Sequence, residues 1–164
     1  MLLDLPTAAR YNQWANNRIY NACKSLTSDE LALDRKGFFK SILGTLNHIL
    51  LADLIYKERL EKIPTTYIRL DQILYHKLDK LRQAQETQDR WYIEYCVKLE
   101  PFALDGDLSF DTVETAEFFS LPLRSCLCNL YEHQIHHRGQ VHHMLSHASL
   151  DPPPLDFIKF SAGE

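Results

Sequence analysis

The feature that most constrains the fold is helical periodicity in four long segments of the sequence. Apolar residues recur there at the three- and four-residue spacing of an amphipathic α-helix. The segments cover residues 6–26, 40–60, 71–98 and 122–147. The second is apolar on nearly every face, which predicts a helix with neighbours on several sides. The sequence therefore favours an all-α fold, and four helices of this length around one core predict a four-helix bundle.

Local signals indicate where these helices begin and end. Asp4 precedes the first segment as an N-cap, with Pro6 in the first turn. Pro64 ends the second helix, because proline cannot continue the helical hydrogen bonding. Ser120 is the expected N-cap of the last helix, with Pro122 in its first turn.

The connecting segments carry signals of their own. Thr27 and Glu30 have the spacing of a capping box, which predicts about one helical turn after the first helix. A turn signal then precedes two short runs, 108–113 and 117–121, which predict a short β-hairpin before the last helix. Beyond the prolines at 152–154, the apolar residues of the tail are expected to pack back onto the body.

Length and charge narrow the functional classes. The 164 residues fit one domain, 1–164, because separate cores usually appear only beyond roughly 250 residues. With 18 basic and 22 acidic side chains the formal net charge is -4, so nucleic acid is not an expected partner. No apolar run reaches the ~20 residues of a membrane span. Residues 1–15 also lack a secretory pattern, and we expect a cytoplasmic protein without membrane contact.

Histidines are concentrated in the last helical segment, where five of the eight fall between positions 133 and 143. Helical phase separates them into two groups. His133 and His137 face the apolar stripe, one turn apart. The others are expected to face solvent, namely His136, His142, His143 and His147. Two imidazoles at this spacing can converge on a single divalent ion.

The pair on the apolar face has two interpretations of similar weight. Each histidine could be hydrogen-bonded to neighbouring side chains or water, or both could bind a metal ion. A third ligand would then come from another helix, and His48 is the best candidate because it lies in the most apolar segment. His76 lies on a polar face. Cys126 is about 10 Å of helical rise from His133, too far to share the ion.

Rival catalytic motifs are excluded by particular residues. The run from His133 to His137 resembles the zinc protease pattern H-E-x-x-H, but Gln134 stands where the general base belongs. An amide cannot accept that proton. Two Glu-x-x-His pairs on core faces, which a di-iron bundle requires, are missing, and so are phosphate-binding glycine patterns.

Three motifs resemble, in order and spacing, the DinB-like (DinB/YfiT) family of metal-dependent enzymes, and the resemblance covers nearly the whole chain. They are Tyr11-Asn12-Gln13-Trp14-Ala15-Asn16-Asn17, Asn47-His48-Ile49-Leu50-Leu51-Ala52-Asp53, and His133-x-x-x-His137-Arg138-Gly139-Gln140. The resemblance implies a four-helix bundle that holds zinc or nickel and leaves one coordination position open. In this chain, the resemblance implies that the metal ligands are His48, His133 and His137.

The resemblance also implies partners. Relatives include S-transferases and isomerases that use low-molecular-weight thiols, and the fold commonly forms homodimers. The aromatic residues Tyr11, Trp14 and Tyr20 of the first helix exceed what one buried stripe requires, which also favours a homodimer. The chain departs from the family at two positions. Asn129 stands where many members have a further His, and Glu132 stands where Asn is frequent. The substrate of any one relative is therefore not assigned to this chain.

Two functional hypotheses follow. The leading one is a metal-dependent enzyme that activates water or a low-molecular-weight thiol, as a thiol S-transferase or a hydrolase, for a small-molecule substrate. The alternative is a non-catalytic, dimeric metal-binding or interaction protein of the same fold. Asp53 and Tyr11 are candidates for groups behind the ligands or beside the substrate. A concave pocket that reaches the metal position would favour the enzyme.

Overall fold

The computed structural model describes residues 4–148 and 150–163, which are mostly helical. Four helices are long: α1 (Leu5–Cys23), α3 (Ile42–Leu60), α4 (Leu78–Lys98) and α5 (Leu123–Ser146). Three are short: α2 (Ser28–Ala32), a 3-10 helix (Pro101–Asp105) and α6 (Phe157–Ser161). Among the described residues, no helix is both long and apolar enough to span a bilayer.

The caps predicted for the N-terminal part are confirmed. The Asp4 carboxylate accepts a hydrogen bond from the Thr7 backbone N–H at 2.9 Å, and a proline occupies the first turn of α1. Thr27 and Glu30 form the reciprocal capping box that opens α2. Ser41 caps α3 by accepting a hydrogen bond from the backbone N–H of residue 44 at 3.0 Å. Local sequence therefore determines these boundaries.

The predicted hairpin is confirmed, and it changes the start of the last helix. Strands β1 (Asp107–Asp111) and β2 (Phe118–Pro122) pair antiparallel, with Ser109 opposite Ser120. The N-cap expectation for Ser120 was wrong, because this residue belongs to the strand ladder. Helix α5 begins only after Pro122 and has no side-chain cap.

The fourth predicted segment begins later than expected. Its helical periodicity suggested a start at residue 71, but α4 starts at Leu78, and residues 61–77 form neither helix nor strand. The buried side-chain amide of Asn47 explains why the helix starts later than predicted. The backbone N–H groups of Leu74 and Tyr75 donate to Asn47 Oδ1 at 2.8 and 2.9 Å, and Asn47 Nδ2 donates to the Tyr75 carbonyl at 3.0 Å. These bonds satisfy backbone groups that a helix would otherwise pair.

The long helices pack through a common apolar core. Helix α1 contacts α4 and α5, and α3 contacts the same two helices. Fully buried side chains from all four long helices fill the centre, among them Ile19, Leu50, Leu81 and Leu145. Burial of such side chains contributes about 1.5–3 kcal/mol each before the loss of conformational entropy is counted. This core holds α3 and α5 side by side.

A buried polar network crosses that core, and its centre is the guanidinium of Arg138. Arg138 is 2% exposed, and it donates to the side-chain oxygens of Asn12 and Asn16. Asn16 in turn donates to the Asp89 carboxylate at 2.9 Å. Burial raises the pKa of Asp89 to about 6 and lowers the pKa of Arg138. The network thus joins α5 to α1 and α4.

Asp53 connects the same network to α3. Its two carboxylate oxygens accept hydrogen bonds of 2.6 Å each, one from Gln85 and one from Gln134. Gln85 also donates to Asp89 at 3.2 Å. Burial, followed by the nearby Asp89, raises the pKa of Asp53 well above its usual range. All four long helices therefore contribute side chains to one hydrogen-bonded network.

The tail after the prolines packs onto α1, as predicted. The Tyr11 hydroxyl donates to the Leu155 carbonyl at 2.6 Å, and the rings of Phe157 and Phe160 contact Tyr11 edge-on. Phe160 also contacts the Trp14 ring. These aromatic residues of α1 have intramolecular neighbours, and they no longer argue for a dimer.

Replacing Arg138 with Met is expected to lower the free energy of unfolding by about 3–5 kcal/mol, because the remaining members of a buried charged network lose their partner. Urea denaturation measures this loss. The matched control is Arg90→Met, which removes an exposed arginine of α4 that donates a surface hydrogen bond to Thr87. The control should change the free energy by no more than about 0.5 kcal/mol. Equal effects in the two variants would contradict the prediction.

Candidate metal centre

Helices α3 and α5 bring together the three histidines that the sequence singled out. His48 lies on α3, and His133 and His137 lie one turn apart on α5. One ring nitrogen from each histidine lies within 4.8 Å of the others, a grouping that could hold a metal ion. Within residues 4–148 and 150–163 it is the one such group found.

Two of the rings are oriented by acceptors on the side away from the cluster. His48 Nδ1 lies 2.8 Å from the Leu70 carbonyl oxygen, and His137 Nδ1 lies 2.8 Å from Gln140 Oε1. Since these oxygens only accept, each Nδ1 carries the proton and donates. Each Nε2 then presents a lone pair, the form in which imidazole binds a metal.

His133 completes the set of donors. Its Nε2 lies 2.9 Å from His48 Nε2. Its Nδ1 is buried and has no hydrogen-bond partner among the described residues. Three converging imidazole nitrogens without a carboxylate or thiolate are a donor set that suits zinc, copper, iron or nickel. The residues present therefore fit a divalent transition metal.

Phe39, in the loop before α3, packs against the cluster. Its ring stacks on His48, with centroids 3.8 Å apart and planes 18° apart, and it contacts His137 edge-on at 5.5 Å. An apolar ring in this position restricts the motion of both imidazoles and limits access of water.

Burial keeps the three imidazoles uncharged. It lowers the pKa of His48 to about 4 and the pKa of His133 to about 3, and it also lowers the pKa of His137. The charged form is disfavoured because its hydration is lost. At neutral pH all three side chains are in the form that binds a cation.

The remaining histidines lie outside the group. The predicted solvent exposure is confirmed for His136, His143 and His147, whereas His142 is half-buried. His136 still has an indirect connection to the cluster, because its Nε2 lies 3.1 Å from the amide nitrogen of Gln140. His76 is exposed, as expected from its polar surroundings.

The two candidate supporting residues lie elsewhere. Tyr11 contacts the tail, and Asp53 contacts Gln85 and Gln134 rather than a histidine. Because Gln134 follows His133 directly, the hydrogen bond between Gln134 and Asp53 joins α3 to α5 next to the cluster.

A cavity of about 410 Å³ reaches two of the three histidines. It lies between α3 and α5, and the hairpin covers it. Its walls are formed mainly by apolar side chains, with a few polar groups: His48, Ala52, Ile55, Tyr56, Arg59, Leu70, Phe110, Thr112, Val113, Phe119, Leu121, Ser125, Cys126, Asn129 and His133. Such a concave, mostly apolar space next to a ligand cluster is typical of a small-molecule site.

The sequence did not single out Tyr56 and Arg59, and it noted Asn129 only as a departure from the family. Asn129 donates to the Tyr56 hydroxyl at 2.7 Å inside the cavity. Helical phase could have found both residues, since Asn129 precedes His133 by one turn and Tyr56 follows His48 by about two. Without the position of the hairpin, however, nothing in the sequence indicated that these faces line a cavity.

Comparison with known proteins identifies a family. The family model described as the DinB family matches residues 1–164, the whole chain. A search of curated proteins finds no match.

Replacing His137 with Ala is expected to reduce the metal content of the purified protein sharply, because it removes one of three converging nitrogens. His142→Ala and His143→Ala serve as controls on the same helix, and their metal content should equal that of the wild type. Elemental analysis by mass spectrometry of untagged protein measures all three. The same loss in every variant would show that the surface histidines bind the metal.

The metal-free protein should lose stability relative to a His133→Gln variant as the pH falls from 6.5 toward about 3. Folding holds the pKa of His133 at about 3, so in this range the unfolded chain binds a proton that the folded chain does not. The relative loss is at most about 1.4 kcal/mol per pH unit.

Urea denaturation at several pH values measures the difference between the two proteins. Comparison with the variant is needed because the raised pKa of Asp89 acts in the opposite direction below its value of about 6. A difference that does not depend on pH would be inconsistent with a neutral, buried His133.

Proposed function

The chain belongs to the DinB family, and from this premise we propose that it is a metal-dependent enzyme whose His48, His133 and His137 bind one divalent ion, zinc or nickel. Three neutral imidazoles with converging nitrogens support this assignment. Three protein ligands also leave a coordination position for a substrate or water, as in catalytic rather than structural sites.

The observation that carries the proposal is the cavity that reaches His48 and His133. A non-catalytic ion needs no access for small molecules, and structural sites are closed. The alternative, a metal-binding or interaction protein without catalysis, does not account for an apolar space of about 410 Å³ beside the ligands. An enzyme acting on a small-molecule substrate does.

When bound, the ion would supply a Lewis acid that lowers the pKa of a water or of a low-molecular-weight thiol. The chain's own residues supply orientation and exclusion of water. Leu70 and Gln140 fix the rings of His48 and His137, and Phe39 covers them. Thiol S-transfer and hydrolysis are the two reaction classes that this arrangement supports.

Tyr56 is a hydrogen-bond donor in the proposed site. Its oxygen accepts a hydrogen bond from Asn129, and burial raises the pKa of its hydroxyl. The group therefore keeps its proton at neutral pH. In this proposal the Tyr56 hydroxyl donates a hydrogen bond to a polar atom of the substrate.

The wider architecture belongs to the same proposal. Each of the four long helices contacts two of the others, which supports a single four-helix-bundle domain spanning residues 1–164. A cytoplasmic homodimer is proposed from the family alone, because Tyr11 and Trp14 of α1 contact the tail and do not argue for a dimer.

Addition of a low-molecular-weight thiol to the cobalt-substituted protein should produce a sulfur-to-metal charge-transfer band in the near ultraviolet, because a neutral three-histidine site leaves the ion its full charge. Absorption spectroscopy measures the band. The control variant His48→Ala should not produce it, whereas His143→Ala should. If millimolar thiol leaves the cobalt spectrum unchanged, S-transfer is rejected, and hydrolysis or the non-catalytic metal-binding protein becomes the better account.

A further inference from the structure

The cavity beside the histidines extends along about three turns of α3, because residues of successive turns line it, from His48 through Ala52, Ile55 and Tyr56 to Arg59. His48 and Arg59 both belong to this helix and both line the cavity. The helix rises by about 16 Å over the eleven steps from position 48 to position 59. A molecule that contacts both the histidines and Arg59 therefore lies along the helix.

Between these ends the walls are apolar. The contributors include Ile55, Leu70, Phe110, Phe119 and Leu121, from α3, the loop after it and the hairpin. Such walls favour hydrocarbon over charged or strongly hydrated groups, by about 25 cal/mol for each Å² of apolar surface removed from water.

Arg59 is the cationic group of the cavity wall. Its half-buried guanidinium lies 3.9 Å from the centre of the Phe110 ring and 5.2 Å from that of Tyr56. It donates one hydrogen bond, from Nη2 to the Asp111 carbonyl oxygen at 3.1 Å. A guanidinium has five N–H donors, so most of them remain for a ligand.

No carboxylate neutralises this charge in the part of the chain that the structure describes. None of the ion pairs found there includes Arg59. Asp111 binds it through the main chain and exposes its side chain to solvent, and Glu114 accepts a hydrogen bond from the Leu70 backbone N–H instead. A half-buried cation on aromatic rings, without an anionic partner, is arranged to receive one.

We propose that the cavity binds an elongated, mainly apolar small molecule with one anionic group, and that Arg59 binds this group at the end remote from the histidines. The reacting end of the molecule then lies at His48 and His133, and this orientation rests on the proposed function. Arg59 is a specificity-determining residue in this account, because it selects the charge of the ligand and fixes its direction in the cavity.

The test is calorimetric binding of decanoate, decanol and decylamine, which share one chain and differ in the charge of the head group. The wild-type protein should bind decanoate about tenfold more tightly than decanol, the effect of one charge-assisted hydrogen bond, and decylamine most weakly. Arg59→Gln should abolish the preference for decanoate, Arg59→Lys should retain part of it, and the exposed control Arg90→Gln should leave it unchanged. Equal affinities for the three probes in the wild type would overturn the proposal.

Two further outcomes would also overturn it. If Arg59→Lys loses the preference as completely as Arg59→Gln, Arg59 acts by holding the hairpin through Asp111 and not by its charge. If the preference survives Arg59→Gln and disappears when a chelator is added, the carboxylate binds at the metal. Binding that persists with chelator supports Arg59, and because it needs no metal, it stands or fails independently of the proposed enzyme activity.

Discussion

Arg138 places a guanidinium where almost no water can reach it, and its partners come from other helices. A buried charge costs several kcal/mol unless it is paired and hydrogen-bonded. Asn12 and Asn16 of α1 accept its hydrogen bonds, and Asn16 leads on to Asp89 of α4. Because each group would otherwise be left unpaired in an apolar core, the rotation and height of these helices relative to α5 are fixed within narrow limits.

The candidate metal centre depends on that constraint. Gln134 and Arg138 each follow a histidine of the cluster directly, so the rotation of α5 that places them in the network also turns His133 and His137 toward α3. On α3, Asp53 lies five positions after His48 and accepts a hydrogen bond from the Gln134 side-chain amide at 2.6 Å, which joins the two helices beside the cluster. The polar network and the three-histidine group thus lie side by side on the same two helices, α3 and α5. A change in the packing of these helices that breaks the network would also displace the histidines.

The segments between helices complete the site. Asn47 binds the backbone of residues 74 and 75, and this anchors the irregular segment that supplies the Leu70 carbonyl to His48. Residues of the hairpin line the groove between α3 and α5 and thereby turn a strip of helix surface into one wall of a concave cavity. These contacts span more than twenty positions of sequence, and helical periodicity carries no information about them.

The sequence by itself determined the helical segments, the Asp4 and Thr27 caps, the hairpin and the pairing of His133 with His137 on one face, because each depends on local hydrogen bonding or on the period of one helix. The apolar segment around His48 made this residue the best candidate for a third ligand, but only the packing of α3 on α5 brings it to the pair. Tertiary contacts decided the features that depend on residues far apart in sequence, about which helical periodicity gives no information. Helix α4 begins only at Leu78 because the side-chain amide of Asn47, far away in sequence, hydrogen-bonds the backbone that precedes the helix. Ser120 lies in a strand because it pairs with Ser109, eleven positions earlier. Arg59 lines a cavity only because the hairpin packs against α3. A cavity is formed by several elements packed together, and no single segment of sequence predicts it.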